Sequence, residues 1–162
     1  MAETKGITYI RMMLDILSKK GTSLKALLEL TTAQEKILKQ EEFDEDGFEE
    51  LMKQKSEHIR KLEEFDNGFQ SIYNRVAEEI TNHKEEYKDQ ILEMQGLITE
   101  VTDLGVKLTA LEEKNKTVLE MKFRERRQNI RQFKVSKETA NKYYKNMIGM
   151  RTEASYFMDQ KQ

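Results

Sequence analysis

The chain has no proline, no cysteine and no tryptophan among its 162 residues. At the usual frequency of about 5%, about eight prolines are expected. Their absence removes the commonest helix breaker and permits long uninterrupted helices. The lack of cysteine excludes disulfides and thiolate metal sites, and it suits a cytoplasmic chain. No apolar run approaches the ~20 residues of a membrane span, and the opening Met1–Gly6 does not have the profile of a signal peptide. No phosphate loop, dinucleotide fingerprint or nucleophile elbow occurs, so no motif names a reaction and no catalytic residue or cofactor is expected.

What is present is charge and period. Apolar residues are 37% and charged residues 36% of the chain, against about 45–50% and about 25% in average domains. That balance disfavours a thick multilayer core and suits long helices that share narrow apolar seams. The formal net charge of -2 hides a segregation. The stretch 35–66 holds 12 acidic and 6 basic residues, whereas 122–137 holds 7 basic and 1 acidic.

The spacing predicts a first helix over Ile7 to Glu41, with Ile10, Leu14, Leu17, Leu24, Leu28 and Leu38 on one stripe. Met13, Ile16 and Leu27 widen that stripe, and the seven-residue step from Leu17 to Leu24 keeps its register across Gly21. Gly21 reads as a tolerated weakness or a point of close approach. Phe43-Asp44-Glu45-Asp46-Gly47-Phe48 is the strongest local signal. Asp44 is an N-cap, Glu45 and Asp46 suit the positive end of a helix dipole, and Phe43 and Phe48 have hydrophobic-staple spacing. A second helix therefore starts near Glu45, with Phe48, Leu51, Ile59, Leu62, Phe65, Phe69, Ile72 or Tyr73, Val76 and Ile80 on its stripe.

Two places compete for the end of that helix. Asp66-Asn67-Gly68 carries a turn dipeptide, but the apolar spacing runs straight across it. At Asn82 a capping box with Glu85 is possible. Length favours the second, because helices of ~52 Å and ~56 Å make a matched antiparallel hairpin at ~1.5 Å per residue. A third helix is expected from about Lys84 to at least Phe133, ~75 Å long, overhanging the hairpin. Its seam is Tyr87, Ile91, Met94, Ile98, Val101, Gly105 and Leu108, with Leu111, Val118, Leu119 and Phe123 continuing more loosely. The rival is a single continuous helix over the second and third segments, which requires a dimer to cover its seam. The fold class is all-α: three long antiparallel helices in a coiled-coil-like bundle, spanning 1–135, with a partly irregular tail over 136–162.

Several chemical readings fail on spacing. If Gly47 is position six of a calcium loop, position twelve is Lys53 instead of the required glutamate. His58 and His83 have no second ligand at metal spacing, so no metal site is expected. The basic run Lys122–Arg131 offers phosphate contacts, yet the pI of about 5.9 and the lack of any recognised module make nucleic acid an unlikely partner. Of nine methionines, Met12, Met13, Met52 and Met94 fall on or beside the stripes as core filler. Met147, Met150 and Met158 lie outside the paired region, where soft side chains suit either a partner helix or a fold-back onto the third helix.

The stretch Ile98–Lys116, ITEVTDLGVKLTALEEKNK, resembles the third-helix centre of FlgN-type flagellar export chaperones. Glu50–Glu57 resembles the start of their second helix, and Tyr143-Tyr144 with Ser155–Lys161 is similar to tails in that family. The related FliT-type chaperones are equally compatible. The resemblance implies a small cytoplasmic all-helical protein that binds C-terminal helical segments of hook–filament junction proteins and delivers them to the export apparatus. It places the cargo surface on the end of the third helix and the tail: Phe133, Tyr143, Tyr144, Met147, Ile148, Tyr156, Phe157 and Met158. Arg124, Arg126, Arg127 and Arg131 then contact an acidic partner, and they make this end more cationic than the family pattern. The competing reading is a structural coiled-coil protein that dimerises through its heptad seams; either a monomer or a homodimer is compatible.

Overall fold

The computed structural model describes residues 2–125, with side chains from Gly6 onward. It contains three α-helices of 38 residues each: α1 (Ala2–Lys39), α2 (Glu45–Asn82) and α3 (Lys88–Glu125). Each is ~57 Å long at ~1.5 Å per residue. Consecutive helices are antiparallel, so α1 and α3 run parallel. Their shared direction is fixed by Tyr87 beside Gly6 at one end and Lys122 beside Gln40 at the other. α1 is the common partner: it packs along both α2 and α3, while no Cα atom of α2 lies within 8 Å of one in α3.

The start of α2 is as the sequence dictates. The Asp44 carboxylate accepts the Gly47 amide at 2.9 Å, and a Cβ at residue 47 would collide with that carboxylate. Phe43 and Phe48 are buried with ring centroids 5.6 Å apart. The second turn differs from expectation. Asn82 does not cap a new helix; it closes α2, and His83 donates its amide to the Glu79 and Ile80 carbonyls. Residues 83–87 form the turn, and α3 begins at Lys88 instead of Lys84. The reason is Tyr87. Its ring is fully buried against α1, in space that only a glycine at position 6 leaves open, and its hydroxyl donates to Glu79 Oε1 at 3.3 Å. The turn removes the single-helix rival. The expected extension of α3 to Phe133 lies outside the described residues.

All three seams follow one three-four register. On α1 it is Ile10, Met13, Leu17, Lys20, Leu24, Leu27, Thr31, Gln34 and Leu38, all buried. Met13 and Leu27 therefore lie deeper than Leu14 and Leu28, which are half-buried, and Met12 faces outward. Gly21 is a tolerated weakness: a Cβ there would meet only Val101 Cγ2, at 4.0 Å.

Three apolar clusters stack along the bundle: one around Ile10, Phe69, Tyr87 and Met94, one around Leu24, Ile59, Leu62 and Leu108, and one around Leu38, Phe48, Met52 and Leu119. Between the second and third lies a buried polar layer. The Lys55 ammonium donates to Glu112 Oε1 and, at 2.7 Å, to Gln34 Oε1. Thr31 donates to the same Glu112 oxygen at 2.8 Å, and Asn115 Nδ2 donates to the Thr31 carbonyl at 3.1 Å. Burial pulls the Lys55 pKa below its ordinary value, with Glu112 opposing. A second cross-helix pair, Lys20 with Asp66, sits half-way along the bundle; burial pushes the Asp66 carboxyl above its usual range, with Lys20 opposing.

Removing one member of a buried ion pair strands the other charge, whereas replacing both with apolar groups of similar volume is often neutral or stabilising. Lys55→Met is expected to lower unfolding free energy by about 3–5 kcal/mol in denaturant titration. Adding Glu112→Leu restores most of the loss. An additive double variant would show that the pair is not the coupled unit described here.

Candidate functional site

Of the residues that carry the sequence-based site, only Arg124 belongs to the described structure, at the end of the bundle where α3 finishes beside the α1–α2 connection. Leu119 is buried there against Leu38, Phe43, Phe48 and Met52, and Phe123 packs against the same cluster. Helix periodicity then turns Met121 outward, and it is 55% exposed. Arg124 is exposed on the last turn. Phe133, Tyr143, Tyr144, Met147, Ile148, Tyr156, Phe157, Met158, Arg126, Arg127 and Arg131 lie outside the described residues, as does the 135/136 boundary.

The basic residues at this end do different things. Lys122 Nζ donates to the Gln40 carbonyl at 3.4 Å and stands 5.9 Å from the centroid of the Phe43 ring. The final carbonyls of a helix carry its negative end and lack internal partners, so an ammonium at this position fastens α3 to the α1 terminus. Ring–cation attraction adds to it at this distance. Lys122 is thus committed to the fold, while Arg124 points to solvent. Glu41 and Glu42 in the connection are exposed as well, so the end of the bundle presents both signs of charge within a few residues of exposed apolar surface.

Among the described residues, the remaining polar groups form no reactive constellation. Burial and the neighbouring Lys61 charge lower the His58 pKa, so this half-buried imidazole is neutral at pH 7. Among the described residues, no group of three His, Cys, Asp or Glu side chains could hold a metal ion. No helix there is long and apolar enough to cross a membrane. Lys55 and Glu112 are the most unusual titratable pair, but both are sealed from solvent and bonded to each other.

Sequence reasoning missed the polar layer because it followed apolar residues only. Extending the α3 seam beyond Leu108 in the same steps lands on Glu112, Asn115 and Leu119. The same steps along α2 pass through Lys55 and Asp66. The periodicity was the signal, and residue type hid it.

These features define a long-helix bundle with no metal cluster or other reaction centre among the described residues. The family model of the FlgN protein matches residues 9–150. The chain belongs to the FlgN family and is a flagellar export chaperone. FlgN is a chaperone family, not known for enzymatic activity, whose members are soluble, cytosolic and bind flagellar proteins. Comparison with curated proteins and with solved structures finds no match.

The Asp44 cap shapes the connection on which Phe43 and Lys122 converge. Asp44→Ala is expected to cost about 1 kcal/mol, the usual magnitude for a lost N-cap. Hydrogen exchange should show the added opening concentrated at the amides of 45–48. Uniform acceleration along all three helices would contradict a local role.

Proposed function

We infer that this chaperone binds C-terminal helical segments of hook–filament junction proteins in the cytoplasm and delivers them to the export apparatus. The observation that carries the reading is Met121. It stands exposed beside Arg124 at the end of α3, directly before the cationic and aromatic sequence of 126–158. An apolar residue held outward on a rigid helix, followed in sequence by Phe133, Tyr143, Tyr144, Met147, Ile148, Tyr156, Phe157 and Met158, supports a cargo-binding role for this part of the chain. Met and Tyr side chains suit a surface that must take more than one sequence. Arg124, Arg126, Arg127 and Arg131 orient an acidic cargo or export component, and residues 136–162 act as a tail distinct from the bundle. A junction-protein segment that is disordered before binding would lay its apolar face here and offset its ordering cost by burial.

The alternative, a structural protein that dimerises through its heptad seams, has less support. Within the described residues the seams of α1, α2 and α3 are already filled by one another.

The test is a titration of full-length protein with labelled C-terminal peptides of the junction proteins encoded in the same genome. Saturable binding is expected, weakened at least ten-fold by Tyr144→Ser with Met147→Ser. Arg126→Glu with Arg127→Glu should weaken binding at low salt and much less at high salt, because exposed charges are screened. No binding of any such peptide, together with a stable elongated dimer in sedimentation, would favour the structural reading instead.

A further inference from the structure

Half-way along the bundle the apolar core is interrupted on two of its three helices. The first cluster ends at Leu17, Phe69 and Ile98, and the second begins at Leu24, Leu62 and Val101. In the gap Lys20 of α1 pairs with Asp66 of α2, with side chains 8% and 19% exposed. The Lys55 layer nearer the end of α3 ties all three helices together. The Lys20–Asp66 pair joins α1 to α2, while α3 passes this level with Val101 beside Gly21.

Each helix is also weakened here, with no packing reason. Inside a helix, glycine costs about 1 kcal/mol relative to alanine. Yet a Cβ at Gly21 would meet only Val101 Cγ2 at 4.0 Å, and one at Gly68 only Ile16 Cδ1 at 3.6 Å. A Cβ at Gly105, about one turn beyond Val101, would meet nothing within 4 Å. These are ordinary contacts or open space, so alanine fits at each position. Gly68 also follows Asn67, a turn dipeptide that α2 overrides. Thr22 and Thr102 donate their hydroxyls to the Ser18 and Ile98 carbonyls of their own helices, at 3.2 and 2.7 Å. Back-bonding of this kind loosens and often bends a helix.

We propose that this level is a flexing joint, where the three helices loosen together and the two halves of the bundle bend relative to one another, with the Lys20–Asp66 pair as its closure. A weakness in one helix would be splinted by the other two. Weaknesses in all three at one level favour a shared opening, because each helix that loosens removes packing from its neighbours. An ion pair suits the gap better than an apolar contact does. When it separates, both charged groups meet water, which solvates them well. One half of the bundle carries the Tyr87 turn, and the other carries the Lys55 layer and the end of α3. A bend at the joint re-aims Met121 and Arg124 without disturbing the packing around them. Collective bending of this kind belongs to the μs–ms range. The joint is a property of the bundle and holds whichever partner binds.

The test is hydrogen exchange in the full-length protein. Amides of 20–25, 66–71 and 99–106 are expected to exchange at least ten-fold faster than those of 10–17, 52–59 and 112–119. Gly68→Ala should slow all three faster segments about five-fold, the equivalent of the helical glycine penalty, although it lies on α2 alone. Asp66→Asn should speed all three. A joint level that exchanges no faster than its flanks overturns the joint. So does a Gly68→Ala effect confined to α2, which would mean independent soft spots. Bending is read by spin labels at Glu57→Cys with Glu78→Cys, exposed on α2 either side of Asp66. Gly68→Ala should narrow their distance distribution and leave that of Glu50→Cys with Glu64→Cys unchanged. An unaltered width for the spanning pair would mean local opening without a bend, and the joint would again be refuted.

Discussion

The contact on which the rest depends is the Lys55 ammonium buried against Glu112. It joins α2 to α3 where their backbones do not approach, and Gln34 and Thr31 tie the same group to α1. A long apolar seam alone is permissive. Sliding α2 by one heptad against α1 would still match leucine with isoleucine over most of its length. It would also carry Lys55 from the level of Thr31 and Gln34 into an apolar layer, as an unpaired charge. A stranded buried charge costs several kcal/mol, comparable with the whole stability of a small domain. Buried polar positions in heptad seams specify register in this way.

That constraint explains why the molecule can afford an open side. Three helices of equal length, centred on α1, need not close into a symmetric bundle if a polar layer holds the two outer helices in place. The flanks of α2 and α3 that face away from α1 are then free to be chosen for something other than packing. On α3 that outward face exposes Leu92 and Val106, with Asp103 between Thr99 and Val106. The end of α3 follows the same logic. Lys122 is spent on the α1 terminus and the Phe43 ring, which holds Met121 and Arg124 outward at a fixed position.

Much of this was legible in the sequence. The absence of proline and the three-four spacing of apolar residues specify three long helices, and Phe43–Phe48 places the start of α2 near Glu45, where the helix begins. The second turn was misplaced by a few residues, because Asn82 and Glu85 have the right types for a capping box. Tyr87 decided the matter through a contact with Gly6, 81 residues away in the chain, which no local pattern reports. The polar layer was hidden for a related reason. Lys55, Glu112 and Asn115 read as solvated residues by type, and only their position in the register shows that they are buried. The candidate site residues follow from family likeness, and among them only Arg124, on the last turn of α3, belongs to the described structure.

The most direct test of the register claim uses the chain's lack of cysteine, which makes two introduced thiols unique. Lys25→Cys with Glu100→Cys spans α1 and α3 where the native side chains pair at 3.3 Å. Lys25→Cys with Lys107→Cys lies one heptad away on the same flank of α3. With a short bismaleimide, the first pair should cross-link rapidly and the second hardly at all. In a Lys55→Met, Glu112→Leu background the second pair should gain at the expense of the first. Equal cross-linking of both pairs in the otherwise native chain, or an unchanged preference in that background, would contradict the claim that the buried polar layer sets the register.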